Sequence, residues 1–310
     1  MIPCVSGEEP NQYYHDGENF HAVLIQPSAA GAAIDDMSGF GRCSLSVILP
    51  VLSVMGVQVC PVPTAVLSTH TGGLGEVEFR DLTDYLHPAL EHYKRLGLEF
   101  DCIYSGFLGS EAQIDHCLEF FSTYPQALSV VDPVMGDHGK PYRTYTPAMR
   151  SRMGELARVA DLITPNLTEA SMLLGQEYPL SPLTRAQAKS LLVRLSELGP
   201  HLVVITGVSM ATDEIANIGY DRQHNSFWYV PCDYVPVSYP GTGDIYASVL
   251  IGSLLTGDSL PMAMDRATRF LEISIKTTFT YATDTRHGVM LEKSLSYLTQ
   301  RDVLNNYKIL

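Results

Sequence analysis

The chain has 310 residues, 45% of them hydrophobic, and a formal net charge of −14 with no basic run. That is enough apolar material for one large α/β domain or two smaller ones. An acidic surface repels phosphate backbones, which argues against nucleic acid and anionic membranes as partners, and no stretch approaches the ~18–20 continuous apolar residues that span a bilayer.

Residues 1–20 are polar and rich in turn formers (Gly7, Pro10, Asn11, Asp16, Gly17, Asn19) and read as a flexible N-terminal extension. Residues 21–310 read as a single domain. The first basic residue is Arg42, so neither a positive secretory n-region nor an Arg-rich transit peptide fits. The six cysteines (Cys4, Cys43, Cys60, Cys102, Cys117, Cys232) form no CxxC pair and read as reduced thiols of a cytoplasmic protein.

The first strand has two candidates, 22–25 and the Gly- and Ala-rich 29–34, where β-branched residues are expected. Further along, short apolar runs at 57–67, 102–108, 128–134, 162–164 and 202–206 alternate with helical patterns. That alternation predicts parallel strands covered on both faces. Thr184 and Gln187 have capping-box spacing for a helix to about Leu198, where Gly199-Pro200 stops it. Residues 244–255 mix Ile245, Val249, Ile251, Leu254 and Leu255 with small Ala247, Ser248, Gly252 and Ser253, the pattern of a closely packed core helix. Repeated βα units give a mostly parallel sheet, and ligands in such sheets bind at the carboxyl ends of the strands.

Four motifs fall at those ends. Asp132-Pro133-Val134-Met135-Gly136-Asp137 puts two carboxylates on a tight turn, suited to Mg²⁺ through water; read blandly, Asp132 and Asp137 cap the turn. In Thr164-Pro165-Asn166-Leu167-Thr168-Glu169, Asn166 and Glu169 have the spacing of a capping box, or Glu169 meets metal-bound water and Asn166 a phosphate. Val204-Ile205-Thr206-Gly207 offers a hydroxyl and a glycine to nucleotide phosphates. Pro240-Gly241-Thr242-Gly243-Asp244 runs directly into a helix. Its glycines permit a tight turn, its N–H groups and dipole favour an anion, and Asp244 can take the proton of an attacking hydroxyl. The bland alternative is a Gly turn with Asp244 as a helix cap. Residues 136–146, with Lys140 and Arg143, read as a polar loop that closes over the site or simply faces solvent.

In this order, the motifs resemble those of the ribokinase superfamily, and within it the pyridoxal kinases, over roughly residues 30–300. The superfamily usually has Gly-Ala-Gly-Asp before its catalytic helix, and Thr242 is the pyridoxal-kinase variant. Residues 36–44 resemble the family's first βα turn. Ser68-Thr69-His70-Thr71 resembles its Ser-x-His-Thr signature, and Ser105-Gly106-Phe107 resembles Thr-Gly-Tyr, with Phe107 in place of Tyr. The resemblance implies an α/β, ribokinase-like three-layer sandwich with a mostly parallel central sheet and helices on both faces. It also implies transfer of the γ-phosphoryl of ATP to the 5′-hydroxymethyl of pyridoxal, pyridoxine or pyridoxamine. Asp244 would be the base, with Gly241, Thr242 and Gly243 as the anion hole. Asp132, Asp137 and Glu169 would organise Mg²⁺, and Asn166, Thr206 and Gly207 would meet the nucleotide. Asp35, Asp36, Thr64, His70 and Phe107 would lie near the vitamer. A homodimer is usual in the family, and a monovalent cation requirement stays open. A hydroxymethylpyrimidine (phosphate) kinase of thiamine biosynthesis shares these motifs, although Thr242 and the Ser-x-His-Thr segment disfavour it. A catalytically silent ligand-binding protein on the same fold is the alternative from a different class.

Overall fold

The computed structural model describes residues 28–211, 214–233, 235–299 and 306–310. The expected N-terminal extension at 1–20 and the alternative first strand at 22–25 lie outside them. Strand β1 (Ala30–Phe40) therefore forms from the Gly- and Ala-rich run. It lies between β2 and β4, parallel to both, and its residues from Ala30 to Asp36 are buried.

The remaining elements follow in βα order. Helix α1 (Leu45–Val54) leads to β2 (Gln58–Thr69), β3 (Phe79–Asp81) and α2 (Thr83–Leu96). Next come β4 (Cys102–Ser105), α3 (Glu111–Thr123), β5 (Leu128–Val131) and the short hairpin β6 (Gly136–Asp137) and β7 (Lys140–Pro141). Then α4 (Pro147–Val159), β8 (Leu162–Ile163), α5 (Leu167–Leu173), α6 (Arg185–Glu197) and β9 (Leu202–Met210) complete the parallel part. The chain ends with β10 (Glu214–Asp221), β11 (Ser226–Cys232), α7 (Thr242–Leu255), α8 (Leu260–Thr280), three 3₁₀ turns and β12 (Lys308–Ile309).

The main sheet has the order β12-β11-β10-β9-β8-β5-β4-β1-β2-β3. Its centre, from β9 to β2, is parallel, and antiparallel strands extend both edges. Alternate residues of the central strands feed opposite cores. Ile34, Ile103, Val131, Ile163 and Val203 pack with α2 to α6. Ala33, Tyr104, Val130, Leu162 and Val204 pack with α1, α7 and α8. The protein is thus a three-layer α/β sandwich. Each fully buried aliphatic side chain contributes about 1.5–3 kcal/mol through lost water contact, and this burial on both faces gave the strands their continuously apolar sequences.

Both expected capping boxes form. Thr184 and Gln187 cap α6, and Asn166 and Glu169 cap α5. Helix α7 packs closely, as its small residues require: a Cβ on Gly252 would meet Met55 Sδ at 2.6 Å. Two strands are shorter than their apolar runs. β4 stops at Ser105 and β5 at Val131, although Leu108 and Met135 beyond them are fully buried. The runs continue because the loops, too, pack onto the core, and Pro133 has no N–H for a ladder. The polar stretch after Gly136 is partly a hairpin rather than wholly a loop. No described helix is long and apolar enough to cross a membrane. Cys43, Cys60, Cys102, Cys117 and Cys232 are free thiols; Cys4 lies outside the described residues.

Candidate active site

The strand order reverses direction at β1: the chain goes from β1 outward to β2, then returns to β4 on the other side. A crevice opens at the carboxyl ends of such neighbouring strands. Asp35, near the middle of β1, lies at this point. Its Oδ1 accepts the Asp36 N–H at 2.7 Å and, across the switch point, the Phe107 N–H at 3.2 Å. Oδ2 has no hydrogen-bond partner among the described residues. Gly106 explains itself here, since a Cβ would sit 2.1 Å from that oxygen. Burial, then Asp244 and Asp36, hold the Asp35 carboxyl well above the usual carboxylate range.

Asp36 points to the other face. Its oxygens accept Ser44 Oγ–H at 2.6 Å and Ser38 Oγ–H at 2.8 Å. Burial raises its pKa, and these hydroxyls oppose the rise. Ser44 has φ 53°, a conformation uncommon for a side-chain-bearing residue. The strained turn aims the Ser44 N–H at Asp244 Oδ2, 2.6 Å away. Asp244 stands in the first turn of α7. Its carboxyl is pushed up to about 6, mainly by burial, with Asp36 adding to the rise and the Ser44 N–H opposing it.

Gly241 caps α7 in the left-handed region at φ 77°. A Cβ there would lie 2.1 Å from the Arg42 carbonyl and 2.8 Å from Cys43 Cα. The glycine thus lets two loops, far apart in sequence, close on one another. Thr242 Oγ1 donates to the Tyr239 carbonyl at 3.2 Å. Gly243 is exposed, and a Cβ on it would be 3.7 Å from Asp132 Oδ2, so the Asp132 carboxylate lies just beneath the loop.

Asp132 and Glu169 form the next layer. Both are buried, and burial followed by each other's neighbourhood lifts Asp132 well above its usual range, with Asp244 contributing. Burial also raises Glu169, against the pull of three backbone N–H groups. Two of these are Met135 N–H to Oε1 at 3.1 Å and Asn166 N–H to Oε2 at 2.9 Å. Asp137, half-buried on the hairpin, accepts the His138 N–H at 2.7 Å, and its charge reaches Glu169. Among the described residues no lysine or arginine pairs with Asp35, Asp132, Glu169 or Asp244. Buried carboxylates of this kind are the oxygen-donor set that hard divalent cations favour.

Asn166 and Thr206 are brought side by side by a parallel bridge. The Asn166 amide caps α5 through Oδ1 and donates from Nδ2 to the Gly136 carbonyl at 2.9 Å. Gly139 N–H donates to Thr168 Oγ1 at 2.9 Å, so the β6–β7 hairpin is tied to α5 at two points. Gly207, exposed at φ 64°, donates its N–H to Asn217 Oδ1 at 3.0 Å. Lys140 and Arg143 are exposed on and after the hairpin.

On the opposite side, Thr64 is fully buried and donates to the Phe107 carbonyl at 3.0 Å. Gln113 Nε2 supports it through the Thr64 carbonyl at 2.9 Å. The Phe107 ring meets Tyr145 edge-on at 5.9 Å. His70 uses both ring nitrogens. Nδ1 accepts the Gly72 N–H at 2.9 Å, which leaves Nε2 to donate to the Arg286 carbonyl at 2.6 Å.

Some residues of the site carry no motif of their own. Tyr104 lies among the acids: burial, then Asp132, Asp244, Asp35 and Glu169, raise its phenol well above the usual value. Tyr142, just after the hairpin, is also raised, by burial and then by Glu169 and the other acids. Gln113 and Tyr145 buttress the Phe107 segment. In sequence these are ordinary strand, loop and helix residues, and only the fold shows where they point.

A profile of the phosphomethylpyrimidine kinase family matches residues 49–290. A crystal structure of a Bacteroides thetaiotaomicron protein described as a phosphomethylpyrimidine kinase, in a form with pyridoxal, is 44% identical with a TM-score of 0.87. It covers 91% of this chain and 100% of its own. Pyridoxal kinase from Lactobacillus plantarum is 34% identical with a TM-score of 0.80, covering 88% of this chain and 96% of its own. The thiamine biosynthetic bifunctional enzyme of Arabidopsis thaliana is 28% identical over 72% of this chain, and the chain spans 42% of that enzyme's length. The chain belongs to the phosphomethylpyrimidine kinase family and is an enzyme.

Proposed function

We propose that this member of the family transfers the γ-phosphoryl group of ATP to the 5′-hydroxymethyl group of a B6 vitamer, pyridoxal, pyridoxine or pyridoxamine. The observation that carries the reading is the pairing of Asp244 with the Ser44 N–H, 2.6 Å apart at the mouth of the β1 crevice. It fixes a carboxylate in the first turn of α7, beside the exposed Gly243. The 44% identical Bacteroides protein, crystallised with pyridoxal, supports the choice of substrate class.

In this reading, Asp244 accepts the hydroxyl proton as it attacks, and its raised pKa suits a base working near neutral pH. The N–H groups of Gly241, Thr242 and Gly243 hold the transferring group's oxygens where negative charge spreads. Asp132, Asp137 and Glu169 would hold Mg²⁺, with Glu169, whose oxygens already accept backbone N–H groups, meeting metal-bound water. Mg²⁺ bound there supplies charge neutralisation at the phosphate oxygens. Asn166, Thr206 and Gly207 frame the nucleotide phosphates, Asn166 chiefly through the Gly136 loop it holds. Lys140 and Arg143 close over them, and the hairpin excludes water. Asp35 presents its unpartnered Oδ2 to the vitamer's polar groups, and Asp36 backs that side of the pocket by holding Ser44 and Ser38; Phe107 packs on the vitamer's ring, and Thr64 and His70 hold the walls.

The catalytic unit is one domain over 21–310, working in the cytoplasm as a homodimer. The fit to the phosphomethylpyrimidine kinase profile and the Arabidopsis thiamine enzyme favours hydroxymethylpyrimidine as the second substrate to try. The test is ADP release from Mg–ATP with a panel of the three B6 vitamers, hydroxymethylpyrimidine and ribose. Turnover with a vitamer is expected. Turnover with hydroxymethylpyrimidine and no vitamer would replace the substrate, and nucleotide binding without turnover on any alcohol would replace the enzyme reading by a silent binding protein.

A further inference from the structure

On the helical layer over the α2–α3 seam, three metal-ligating side chains converge. His116 and Glu119 are three residues apart on α3, which puts them on one face of the helix. His87 comes across from α2. The His87 Nδ1 lies 3.1 Å and 3.0 Å from the two Glu119 oxygens, and the His116 Nδ1 lies 3.8 Å from Glu119 Oε2. One ligand atom from each residue lies within 4.8 Å of the others. The two imidazoles stack at 6.2 Å with their planes 29° apart. Zn²⁺ bonded to imidazole nitrogens at ~2.0–2.1 Å places tetrahedral ligand atoms about 3.4 Å apart. The two His–Glu separations, 3.0 and 3.8 Å, bracket that spacing, and rotation of the side chains about their own bonds brings the three ligand atoms onto it.

We propose that His87, His116 and Glu119 form a binding site for a transition-metal dication, Zn²⁺ or a close relative, that staples α2 to α3. Two nitrogens and one carboxylate are a donor set for Zn²⁺, Ni²⁺, Co²⁺ or Cu²⁺, whereas Mg²⁺ prefers oxygens throughout. The site is therefore chemically distinct from the carboxylate cluster at the strand ends. Three protein ligands leave the fourth position to water. One helical turn away on the same seam, Thr83 Oγ1 accepts from Gln113 Nε2 at 2.9 Å and faces Ser110 Oγ at 3.0 Å. Gln113 also holds the Thr64 carbonyl and the Gly109 N–H. A metal staple one turn above stiffens the two helices that support this side of the crevice.

The test is Zn²⁺ titration of the full chain in excess Mg²⁺, so that the oxygen-only cluster is already filled. Calorimetry should find one Zn²⁺ per chain, and Co²⁺ should develop the visible absorption of a four-coordinate site. His116→Ala and Glu119→Gln should each weaken Zn²⁺ by ~10-fold or more, since even outer-shell changes at metal sites reach that size. Zn²⁺ should raise the melting temperature of the wild type and not of these variants. Equal Zn²⁺ affinity and stoichiometry in the variants, or no saturable Zn²⁺ binding by the wild type, would overturn the proposal and leave a plain His–Glu hydrogen-bonded pair. If His116→Ala melts early in metal-free buffer, His87→Ala, whose imidazole is half-exposed, carries the comparison.

Discussion

Asp244→Asn separates the two things that burial does to this carboxylate. The change is isosteric, and the amide oxygen still accepts the Ser44 N–H, so the loop and α7 keep their places. The proton acceptor is gone, and kcat should fall by ~10²–10⁴, the scale of general-base loss. Stability should move the other way. The Asp244 pKa rises from 3.8 in the unfolded chain to about 6 in the fold, about two units at 1.36 kcal/mol each. Asp244 is only half-buried, and solvent screening leaves about 1–2 kcal/mol. A raised carboxylate pKa means that the folded state favours the protonated form. The ionisation cost is therefore absent below about pH 4, grows as pH rises through the window between 4 and 6, and is complete above it. The Asn variant escapes that cost, so it should melt higher than the wild type at pH 7 and equally at pH 4. In a coupled ADP-release assay with Mg–ATP and pyridoxal, wild-type kcat should fall below about pH 6, and the variant's residual rate should lack that acid limb. A variant of near wild-type rate, or one that keeps the limb, would refute Asp244 as the base. Equal melting at pH 7 would refute the burial argument.

Gly241→Ala should cost about 1–3 kcal/mol for the left-handed backbone alone, and more because the new methyl meets the Arg42 carbonyl. A melting temperature equal to wild type would contradict the close approach of these loops. Asp132→Asn should weaken apparent Mg²⁺ affinity by ~10–100-fold, read from Mg²⁺ titration of the rate at fixed ATP; an unchanged Mg²⁺ curve would remove Asp132 from the metal. His70→Ala removes the hydrogen bonds to the Gly72 N–H and the Arg286 carbonyl, and because both residues are exposed the loss is about 0.5–1.5 kcal/mol per hydrogen bond. It should lower the melting temperature and raise KM for pyridoxal more than KM for ATP. No thermal change would show that water replaces both hydrogen bonds.

Much of this fold could be read from one dimension because its central strands are buried on both faces, which makes their apolar runs continuous. The helix caps were equally readable, since Thr184 and Gln187 or Asn166 and Glu169 act within a single turn. Strand ends were not, because Leu108 and Met135 are as buried in loops as their neighbours are in strands. The first strand escaped the β-propensity rule because its place is set by pairing with β2 and β4 on both sides, which the propensity of single residues does not report. The site itself depends on contacts that the order of residues does not encode. Ser44 reaches Asp244 across 200 positions, and His70 reaches Arg286 across 216. Tyr104 has no signature at all, only a place beneath the acids.

The bland reading of Asn166-Leu167-Thr168-Glu169 holds, and the same residues also make contacts that a helix cap does not require. The capping box does form, and by that test the motif is ordinary helix punctuation. Yet the same Asn166 amide that caps α5 donates to the Gly136 carbonyl, and the Glu169 carboxylate that completes the box accepts the Met135 N–H. The cap is therefore also the joint between α5 and the Asp132–Asp137 turn. Through the Thr206 bridge it touches the end of β9 as well. Three strand-end motifs are locked together by one local structure, so their geometry is set before any ligand arrives, as a site that must hold charged oxygens in place requires. A residue chosen only to start a helix has no need of those further partners.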